Sequence, residues 1–330
     1  MSGPAVFVFP GQGSQFPGMG HEAVRLGPHA RQLTTAAEAV TGLPLTELMT
    51  RADARRLAEP EVAQVVVLVW SLAALAGLRR TGWRPAAVAG HSLGEYTALV
   101  ACGSLDQEAA LSLVTCRARA MAKAARRNPG SMAAIVGLSA ETVAGLCQGA
   151  SGRGQLAVIA NWNSPRQIVV AGTVAAVDQV IEAAGRAGAL RARRLAVGGA
   201  YHTPLMDEAR DSLATSLADV PLAAPRIPFV SSVTAERVTD IAAYRTHLLA
   251  QVVRPVRWSD TVRTLSGLGA ETYVEAGPGR VLSGLGREMA RTARHLTARE
   301  ALRTTPWAAG HRTSHPVEAG GDEPRAKELT

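Results

Sequence analysis

Cysteine is scarce in this sequence: its 330 residues include three, Cys102, Cys116 and Cys147. They lie far apart and form no C-x-x-C pair, so the sequence predicts neither a disulfide framework nor a zinc site. We therefore expect no metal ion and a chain that works in a reducing compartment, and we expect that compartment to be the cytoplasm.

Signals for export or membrane insertion are also lacking. The N-terminal segment MSGPAVFVFPGQGSQ has neither a basic start nor a long apolar stretch, so no secretory signal is predicted. The longest apolar run covers residues 65–78, which is shorter than the roughly 20 residues that a membrane span needs. We interpret it as a buried helix that begins near Pro60, because proline is favoured in the first turn of a helix. No membrane partner is expected.

Aromatic residues make up 4% of the chain, whereas the formal net charge is +8. No basic run is interleaved with aromatic residues and no zinc-finger or recognition-helix pattern occurs, so nucleic acid is not an expected partner. A positive field also attracts acidic proteins. An acidic protein partner is therefore the better interpretation, although part of the excess is explained by arginine serving as an ordinary solvated base.

Strand-like and helical segments alternate along most of the chain, which predicts an α/β fold with a parallel sheet covered by helices. Between residues 129 and 198 the order changes to strand, helix, two strands, helix and strand, the βαββαβ order of a ferredoxin-like unit. The predicted boundaries are a large domain over 1–128 and 199–291, a small inserted subdomain over 129–198 and a flexible tail over 292–330, where charge, glycine and proline replace apolar periodicity.

The segment PAAVAGHSLGEYTALVACG, residues 85–103, contains a G-x-S-x-G turn around Ser92. An apolar strand precedes the turn and a helix follows it, which is the arrangement that exposes a serine hydroxyl for nucleophilic attack. We therefore expect the large domain to be α/β-hydrolase-like. The turn by itself does not say whether an acyl group passes to water or to another acceptor.

Such a serine needs a base, and the candidate among the eight histidines is His202. It lies between a Gly-Gly turn and an amphipathic helix, where a loop can bring it to Ser92. His91 adjoins the serine, but neighbours on a tight turn point apart. The remaining six lie in polar or irregular contexts and are interpreted as surface residues: His21, His29, His247, His295, His311 and His315.

Eight segments follow one another in the order and spacing of one enzyme family: FVFPGQGSQFPGMG, GHSLGEYTAL, CRARAM, NWNSPRQIVVAG, GAYHTPLM, SSVTAE, QVVRPVRW and VEAGPGRVLSGL. On these motifs the chain resembles the malonyl-CoA:acyl carrier protein transacylases, including the free-standing acyltransferases that serve polyketide synthases. The resemblance covers about residues 4–290. A single G-x-S-x-G turn would be weak evidence, whereas eight ordered segments are strong evidence.

The resemblance implies a role for each catalytic residue. Ser92 would be the nucleophile, and His202 would be the base that activates it and later the acid that protonates the leaving thiol. The family orients this histidine with a backbone carbonyl instead of a carboxylate, and the matching residue is Gln251, whose side chain receives no role. The backbone amides of Gln12 and Leu93 would form the oxyanion hole.

The resemblance also implies where the acyl group binds. Arg117, identified by its spacing from Met121, would hold the free carboxylate that distinguishes malonyl from acetyl, because a guanidinium binds a carboxylate through two parallel hydrogen bonds. The bulky Tyr201 favours malonyl over branched acyl groups, although family members usually have phenylalanine there. With Gly199 and Ala200 it completes the predicted specificity segment, and the small Gly199 leaves a larger extender unit open.

We therefore expect an acyltransferase that moves malonyl from malonyl-CoA to the phosphopantetheine thiol of an acidic acyl carrier protein through an acyl-serine. It would serve fatty acid or polyketide synthesis as a monomer without a resident cofactor. The asparagines of the NWNSPRQIVVAG segment, Asn161 and Asn163, are interpreted as turn residues.

The sequence leaves two other classes of function open. A hydrolase of the same fold could edit carrier-bound acyl groups, while an ordinary α/β-hydrolase is disfavoured because its order of Ser, acid and His and its HGGG-type loop are not found. A non-catalytic docking module is disfavoured because Ser92 and His202 are both present.

Overall fold

A parallel sheet of five strands lies at the centre of the larger structural unit in the computed structural model, which describes residues 4–304. The order of the strands across it is β7-β2-β1-β8-β9, and each neighbouring pair is parallel. The strands are β1 (Ala5–Phe9), β2 (Ala87–Gly90), β7 (Phe229–Val230), β8 (Thr272–Glu275) and β9 (Arg294–Thr297). The predicted α/β class with a parallel sheet is confirmed.

Helices cover this sheet. They are α1 (Met19–Ala23), α2 (His29–Thr41), α3 (Leu45–Arg51), α4 (Ala54–Leu57), α5 (Pro60–Arg80), α6 (Gly94–Ala101), α7 (Gln107–Arg127), α10 (Asp207–Leu217), α11 (Ile241–Ala250), α12 (Trp258–Gly267), α13 (Val281–Met289) and α14 (Ala298–Ala301). Short 3-10 turns occupy Val24–Leu26 and Pro204–Met206. Local signals explain several helix starts: α5 has Pro60 in its first turn, and the Asp106 carboxylate accepts from the Glu108 and Ala109 amides at the start of α7.

Helix α5 is apolar on nearly all sides and runs through the core of the large unit. Of the described helices it is the one long and apolar enough to cross a membrane, but 89% of that stretch is buried inside the protein. A helix that is hydrophobic all round is stable in a globular protein only when it is surrounded by other elements. The prediction of a buried helix beginning at Pro60 is therefore confirmed.

The smaller unit contains an antiparallel four-stranded sheet with two helices on one face. Its elements are β3 (Gly130–Val136), α8 (Ala140–Ala150), β4 (Ala157–Ser164), β5 (Gln167–Thr173), α9 (Val174–Arg186) and β6 (Arg191–Arg194), in the order β4-β5-β3-β6 across the sheet. Alternate residues of the strands point toward α8 and α9 and form a separate apolar cluster. The βαββαβ chain order is that of a ferredoxin-like unit.

The tail predicted to begin at residue 292 is corrected by the structure. Strand β9 pairs in parallel with β8, and α14 follows it with a capping box between Thr297 and Glu300. The ring of His295, predicted to be a surface residue, is buried and stacks on Tyr273 at 5.1 Å between ring centroids. A strand of four residues in an arginine-rich segment is too short to show a period, which explains the error. The rest of the predicted tail, 305–330, lies outside the described residues.

The parallel strands place three loops of the large unit at one edge of the sheet. The loops after β1, β2 and β8 meet there, because the carboxyl ends of parallel strands share an edge, which is where α/β proteins bind ligands. The contact between the loops is close: a Cβ on Gly277, after β8, would lie 2.2 Å from Pro10 Cδ, after β1. The small unit then adds a second wall above this edge, as the cavity described below shows.

Substitution of Gly172 in β5 tests how tightly the small sheet is packed. A Cβ at this position would lie 1.8 Å from the backbone oxygen of Leu156, so Gly172→Ala must displace backbone, and we expect it to reduce the free energy of unfolding by about 2 kcal/mol or more. Gly145→Ala in α8 is the matched control, because nothing lies within 4 Å of its Cβ position, and alanine in a helix should stabilise by up to about 1 kcal/mol. Urea unfolding of both variants measures the difference; equal stabilities would contradict the packing described here.

Candidate active site

The turn between β2 and α6 holds Ser92 in a conformation that side chains rarely adopt. Its φ is 52°, in the left-handed region, as expected of a serine presented on a strained strand-to-helix turn. The flanking glycines are required by space: a Cβ on Gly90 would lie 2.0 Å from the backbone carbon of Gly94, and a Cβ on Gly94 would lie 2.0 Å from the Phe9 oxygen. The G-x-S-x-G pattern is therefore the consequence of backbone packing around the serine.

The side chain of His202 lies directly against this serine. Its Nε2 is 2.8 Å from Ser92 Oγ, while Nδ1 lies 2.7 Å from the carbonyl oxygen of Gln251 and 3.1 Å from that of Arg254. Carbonyl oxygens only accept hydrogen bonds, so Nδ1 carries the proton and Nε2 is free to accept the serine hydroxyl. Like Ser92, His202 has a positive φ, 62°. The predicted pairing of a base with the serine is thus present in the geometry.

The environment of His202 keeps its imidazole neutral. Burial and the nearby Arg117 cation lower the pKa of His202 to about 3, and the backbone carbonyls at Nδ1 oppose this effect. Burial penalises the charged form of a histidine, and a neighbouring positive charge adds to that penalty. The ring is therefore in the form that can accept a proton.

The loop after β1 brings Gln12 to the same edge of the sheet as Leu93, the residue after the serine. Gly13 in this loop has a φ of 102°, which a glycine adopts without strain. Within residues 4–304 the backbone amides of Gln12 and Leu93 donate to no protein acceptor. Two free amides at the end of a strand and the start of a helix are suited to an oxyanion.

Arg117 of α7 is a buried cation whose hydrogen-bond acceptors are neutral oxygens. Its guanidinium donates to Gln64 Oε1, to Ser92 Oγ at 3.2 Å and to Gln251 Oε1 at 3.2 Å, and it lies 5.8 Å from the centre of the Tyr96 ring. No aspartate or glutamate of the described part of the chain forms a direct ion pair with it. Burial has the largest effect on the pKa of Arg117 and lowers it, whereas Glu95, which lies behind Gln251, acts to raise it. A buried charge is stable only when it is paired or well hydrogen-bonded, so this position is suited to an anion that arrives from outside.

A cavity of about 160 Å³ opens beside Ser92 between the two units. Polar groups lie around the serine, while the other walls are apolar side chains of the small sheet and of α13. These apolar residues are Met132, Val169, Leu195, Val197, Val281, Leu282 and Leu285. The shape and lining are those of a site for a ligand with one anionic end and an extended apolar contact.

The predicted specificity segment contributes unequally to this cavity. Tyr201 and Met121 line it, whereas Gly199 and Ala200 do not. The space that Gly199 was expected to leave for a larger acyl group is already filled, because a Cβ there would lie 2.7 Å from the Cβ of Ala125. Tyr201 is thus the bulky residue next to His202 that limits the cavity.

Three side chains of the site were not assigned, or were assigned wrongly, from the sequence. The Gln251 carboxamide, which received no role, contacts Arg117 and donates to the Ser92 carbonyl oxygen at 3.0 Å. Asn161 and Asn163 are not turn residues: they are buried in β4 and line the cavity, and Asn163 Oδ1 lies 2.9 Å from His91 Nε2. Motif position was the available signal for both asparagines, since the same segment supplied the resemblance.

Comparison with known proteins gives a consistent result. Residues 6–304 match the family described as acyl transferase domain. The malonyl CoA-acyl carrier protein transacylase of Bacillus subtilis is 38% identical over 285 residues, which cover 86% of this chain and 90% of that protein. The enzyme of the same name from Salmonella typhimurium is 38% identical over 287 residues, which cover 87% of this chain and 93% of that protein.

Solved structures agree with the sequence comparison. The malonyl CoA-acyl carrier protein transacylase of Coxiella burnetii has a TM-score of 0.88 at 33% identity, covering 92% of this chain and 98% of that one. In the structure of a type II PKS acyl-carrier protein in complex with its malonyl-transacylase, the matching chain has a TM-score of 0.87 at 35% identity. The match covers 92% of this chain and 99% of that one. Since the match spans both units and the whole cavity between them, the chain belongs to the malonyl-CoA:acyl carrier protein transacylase family of acyl transferases, as its motifs predict.

Proposed function

We propose that this protein transfers a malonyl group from malonyl-CoA to the phosphopantetheine thiol of an acyl carrier protein, through an ester on Ser92. The observation that carries this proposal is the buried Arg117 guanidinium, which lies 3.2 Å from Ser92 Oγ and forms no direct ion pair within residues 4–304. Malonyl provides the missing anion at this distance from its reacting carbonyl. The names of the curated relatives support the same reaction.

In the first half-reaction, His202 Nε2 takes the proton of Ser92 Oγ, and Oγ attacks the thioester carbonyl carbon of malonyl-CoA. The carbonyl oxygen becomes an oxyanion, and the amides of Gln12 and Leu93 donate to it. The tetrahedral intermediate then collapses: the C–S bond breaks, and the protonated His202 gives its proton to the departing coenzyme A sulfur. The product is a malonyl ester on Ser92.

The charge that His202 acquires in this step is stabilised by its backbone partners. The carbonyl oxygens of Gln251 and Arg254 accept from Nδ1, so they hold the ring in place and favour the cationic form locally. No carboxylate is needed for this role. The mechanism also uses no metal or resident cofactor.

The second half-reaction reverses these steps with a different thiol. The phosphopantetheine sulfur of the carrier loses its proton to His202 and attacks the malonyl ester, and Ser92 leaves with the proton. The apolar walls of the cavity favour an extended thiol over water, which supports transfer over hydrolysis. An editing hydrolase is the less favoured function, because such a protein does not need a cation like Arg117 at the acyl position.

The small sheet offers a basic surface for an acidic carrier. Arg191 and Arg193 alternate along β6 with Ala192, which packs toward α8 and α9. Both arginines therefore belong to the opposite face of the sheet. Leu195 belongs to the same face and lines the cavity. Three other arginines near the ends of the small unit are already in ion pairs: Arg126 with Glu61, Arg127 with Glu208 and Arg194 with Asp178. We further propose that the protein acts as a monomer in the cytoplasm, in fatty acid or polyketide synthesis.

The covalent step gives the direct test of this function. Enzyme mixed with malonyl-CoA and no carrier should gain the mass of one malonyl group, because a ping-pong enzyme stores the acyl group. Ser92→Ala should gain nothing, and His202→Ala should acylate about two to four powers of ten more slowly, the usual effect of losing a general base. Intact-protein mass spectrometry measures both, and addition of a carrier protein should discharge the ester. Discharge by water as fast as by the carrier would favour the hydrolase.

Arg117→Ala tests the selection of a carboxylated acyl group. It should lower kcat/KM for malonyl-CoA on the order of a hundredfold, because charge-assisted hydrogen bonds are lost. This corresponds to about 2 to 4 kcal/mol of transition-state stabilisation. Acylation by acetyl-CoA, which has no carboxylate, should stay constant or rise. Arg117→Lys should recover part of the loss, since an ammonium keeps the charge without the planar fork.

The control for that experiment is Arg119→Ala on the same helix, since Arg119 donates to the Thr41 carbonyl oxygen at 2.9 Å, outside the cavity lining. It should leave the ratio of the two substrates unchanged. If Arg117→Ala lowers both substrates equally, the arginine supports the fold and does not select malonyl.

Charge reversal of Arg191 and Arg193 together tests the carrier surface. The double variant with glutamate should raise KM for an acidic carrier protein about tenfold, and the formation of the malonyl ester from malonyl-CoA should be unchanged. Higher salt should raise the wild-type carrier KM in the same direction, because exposed charges are screened over a Debye length of about 8 Å at physiological ionic strength. Arg186→Glu, at an exposed arginine at the end of α9, is the control for charge alone when it is compared with Arg191→Glu and Arg193→Glu as single variants. A carrier KM that responds equally to Arg186→Glu would contradict a specific surface on β6.

A further inference from the structure

Glu95 is a carboxylate buried behind Ser92 that the proposed reaction does not use. It lies three residues after the serine in the first turn of α6, and its side chain is fully buried. Burial raises the pKa of Glu95 above its ordinary value, and the hydrogen bonds that its oxygens accept oppose this effect only in part. Burying such a group has a free-energy cost, so its retention beside the site points to a role.

Neutral donors surround this carboxylate. Oε1 accepts from the Ser232 amide, and Oε2 accepts from the Tyr244 hydroxyl at 2.7 Å and from Gln251 Nε2. Each of these groups lies far along the chain from Glu95. The carboxylate therefore connects the start of α6 to the loop after β7 and to the end of α11.

The bond to Gln251 decides which way its carboxamide faces. The amide nitrogen has two hydrogens, and both are used: one for Glu95 Oε2 and one for the Ser92 carbonyl oxygen at 3.0 Å. The amide oxygen is then directed to Arg117 Nη2 at 3.2 Å. Were the amide reversed, an NH₂ group would face the guanidinium and an oxygen would face a carboxylate, and both contacts would be repulsive.

We propose that Glu95 is a positioning residue for substrate selection: it fixes the Gln251 carboxamide so that its oxygen holds the Arg117 guanidinium in place for the malonyl carboxylate. This inference rests on the proposed function. Glu95 touches neither substrate nor the reacting atoms, so it acts through Gln251 and Arg117. Its removal should affect the carboxylated substrate selectively.

Glu95→Gln is the first test, because it keeps the shape of the side chain and removes one acceptor. The new amide oxygen can still accept from the Ser232 amide, but its NH₂ group must then face the NH₂ group of Gln251. The carboxamide loses its fixed orientation, and Arg117 loses a partner. We expect kcat/KM for malonyl-CoA to fall about tenfold, while acylation of Ser92 by acetyl-CoA changes less than about twofold.

A double-mutant cycle separates this role from simple support of the fold. In the Arg117→Ala background, Glu95→Gln should cause no further loss with malonyl-CoA, because the residue through which it acts is gone. Tyr244→Phe is the matched control: it removes a different donor from the same carboxylate and leaves the Gln251 contact, so the malonyl to acetyl ratio should stay at the wild-type value. Equal losses for both substrates, or a full tenfold loss in the Arg117→Ala background, would overturn the inference.

Glu95→Asp keeps the inference testable if Glu95→Gln does not fold. The shorter side chain remains an acceptor but reaches less far toward Gln251, so the malonyl to acetyl ratio should fall about threefold; an unchanged ratio in folded protein would overturn the proposal. The outcomes differ from a failure of the proposed function. If the wild type forms no malonyl ester, the function fails, whereas a wild type that selects malonyl and a Glu95→Gln variant that selects it equally well refute only the role of Glu95.

Discussion

A buried positive charge that lies beside Ser92 and forms no direct ion pair within residues 4–304 is the constraint on which the site depends. The Arg117 guanidinium is buried, and its acceptors are neutral oxygens of Gln64, Gln251 and Ser92. Neutral acceptors compensate part of the lost hydration of a cation but do not cancel its field. The protein therefore bears the cost of a cation without a direct ion pair until an anion binds, and this cost is what gives a carboxylated acyl group its advantage over an uncharged one.

Gln251 joins the groups that must be held together for this to work. Its backbone carbonyl accepts from His202, and its side chain contacts both Arg117 and the backbone of Ser92. These residues come from four separate parts of the chain, and their geometry follows from the packing of α6, α7 and α11 around the sheet. One residue at the end of α11 thus orients the base through its main chain and the cation through its amide. A shift of this helix end would move both together.

Much of the fold and the centre of the site could be predicted from the sequence because their signals are local. The strand, glycine turn and helix around Ser92 lie within one segment, and the βαββαβ order follows from short periodic stretches. The contacts of Glu95 and the Gln251 carboxamide could not be predicted, since they join residues more than 130 positions apart. Asn163 was misread because asparagine is common in turns, and tertiary contact with His91 prevailed over that preference. Strand β9 was missed because its sequence shows no periodicity of its own. It is a strand because it pairs with β8.

The Arg117 cation also acts on the base. Arg117 contributes to the low pKa of His202, second only to burial, so any anion that neutralises the guanidinium opposes that effect and makes His202 a stronger base. In the proposed reaction, malonyl supplies this anion and acetyl does not. The carboxylate would then do more than anchor the substrate, because its arrival raises the proton affinity of Nε2 at the moment when Ser92 Oγ must lose its proton. Selection and activation are coupled through one charge, which explains why the arginine lies close enough to donate to the nucleophile itself.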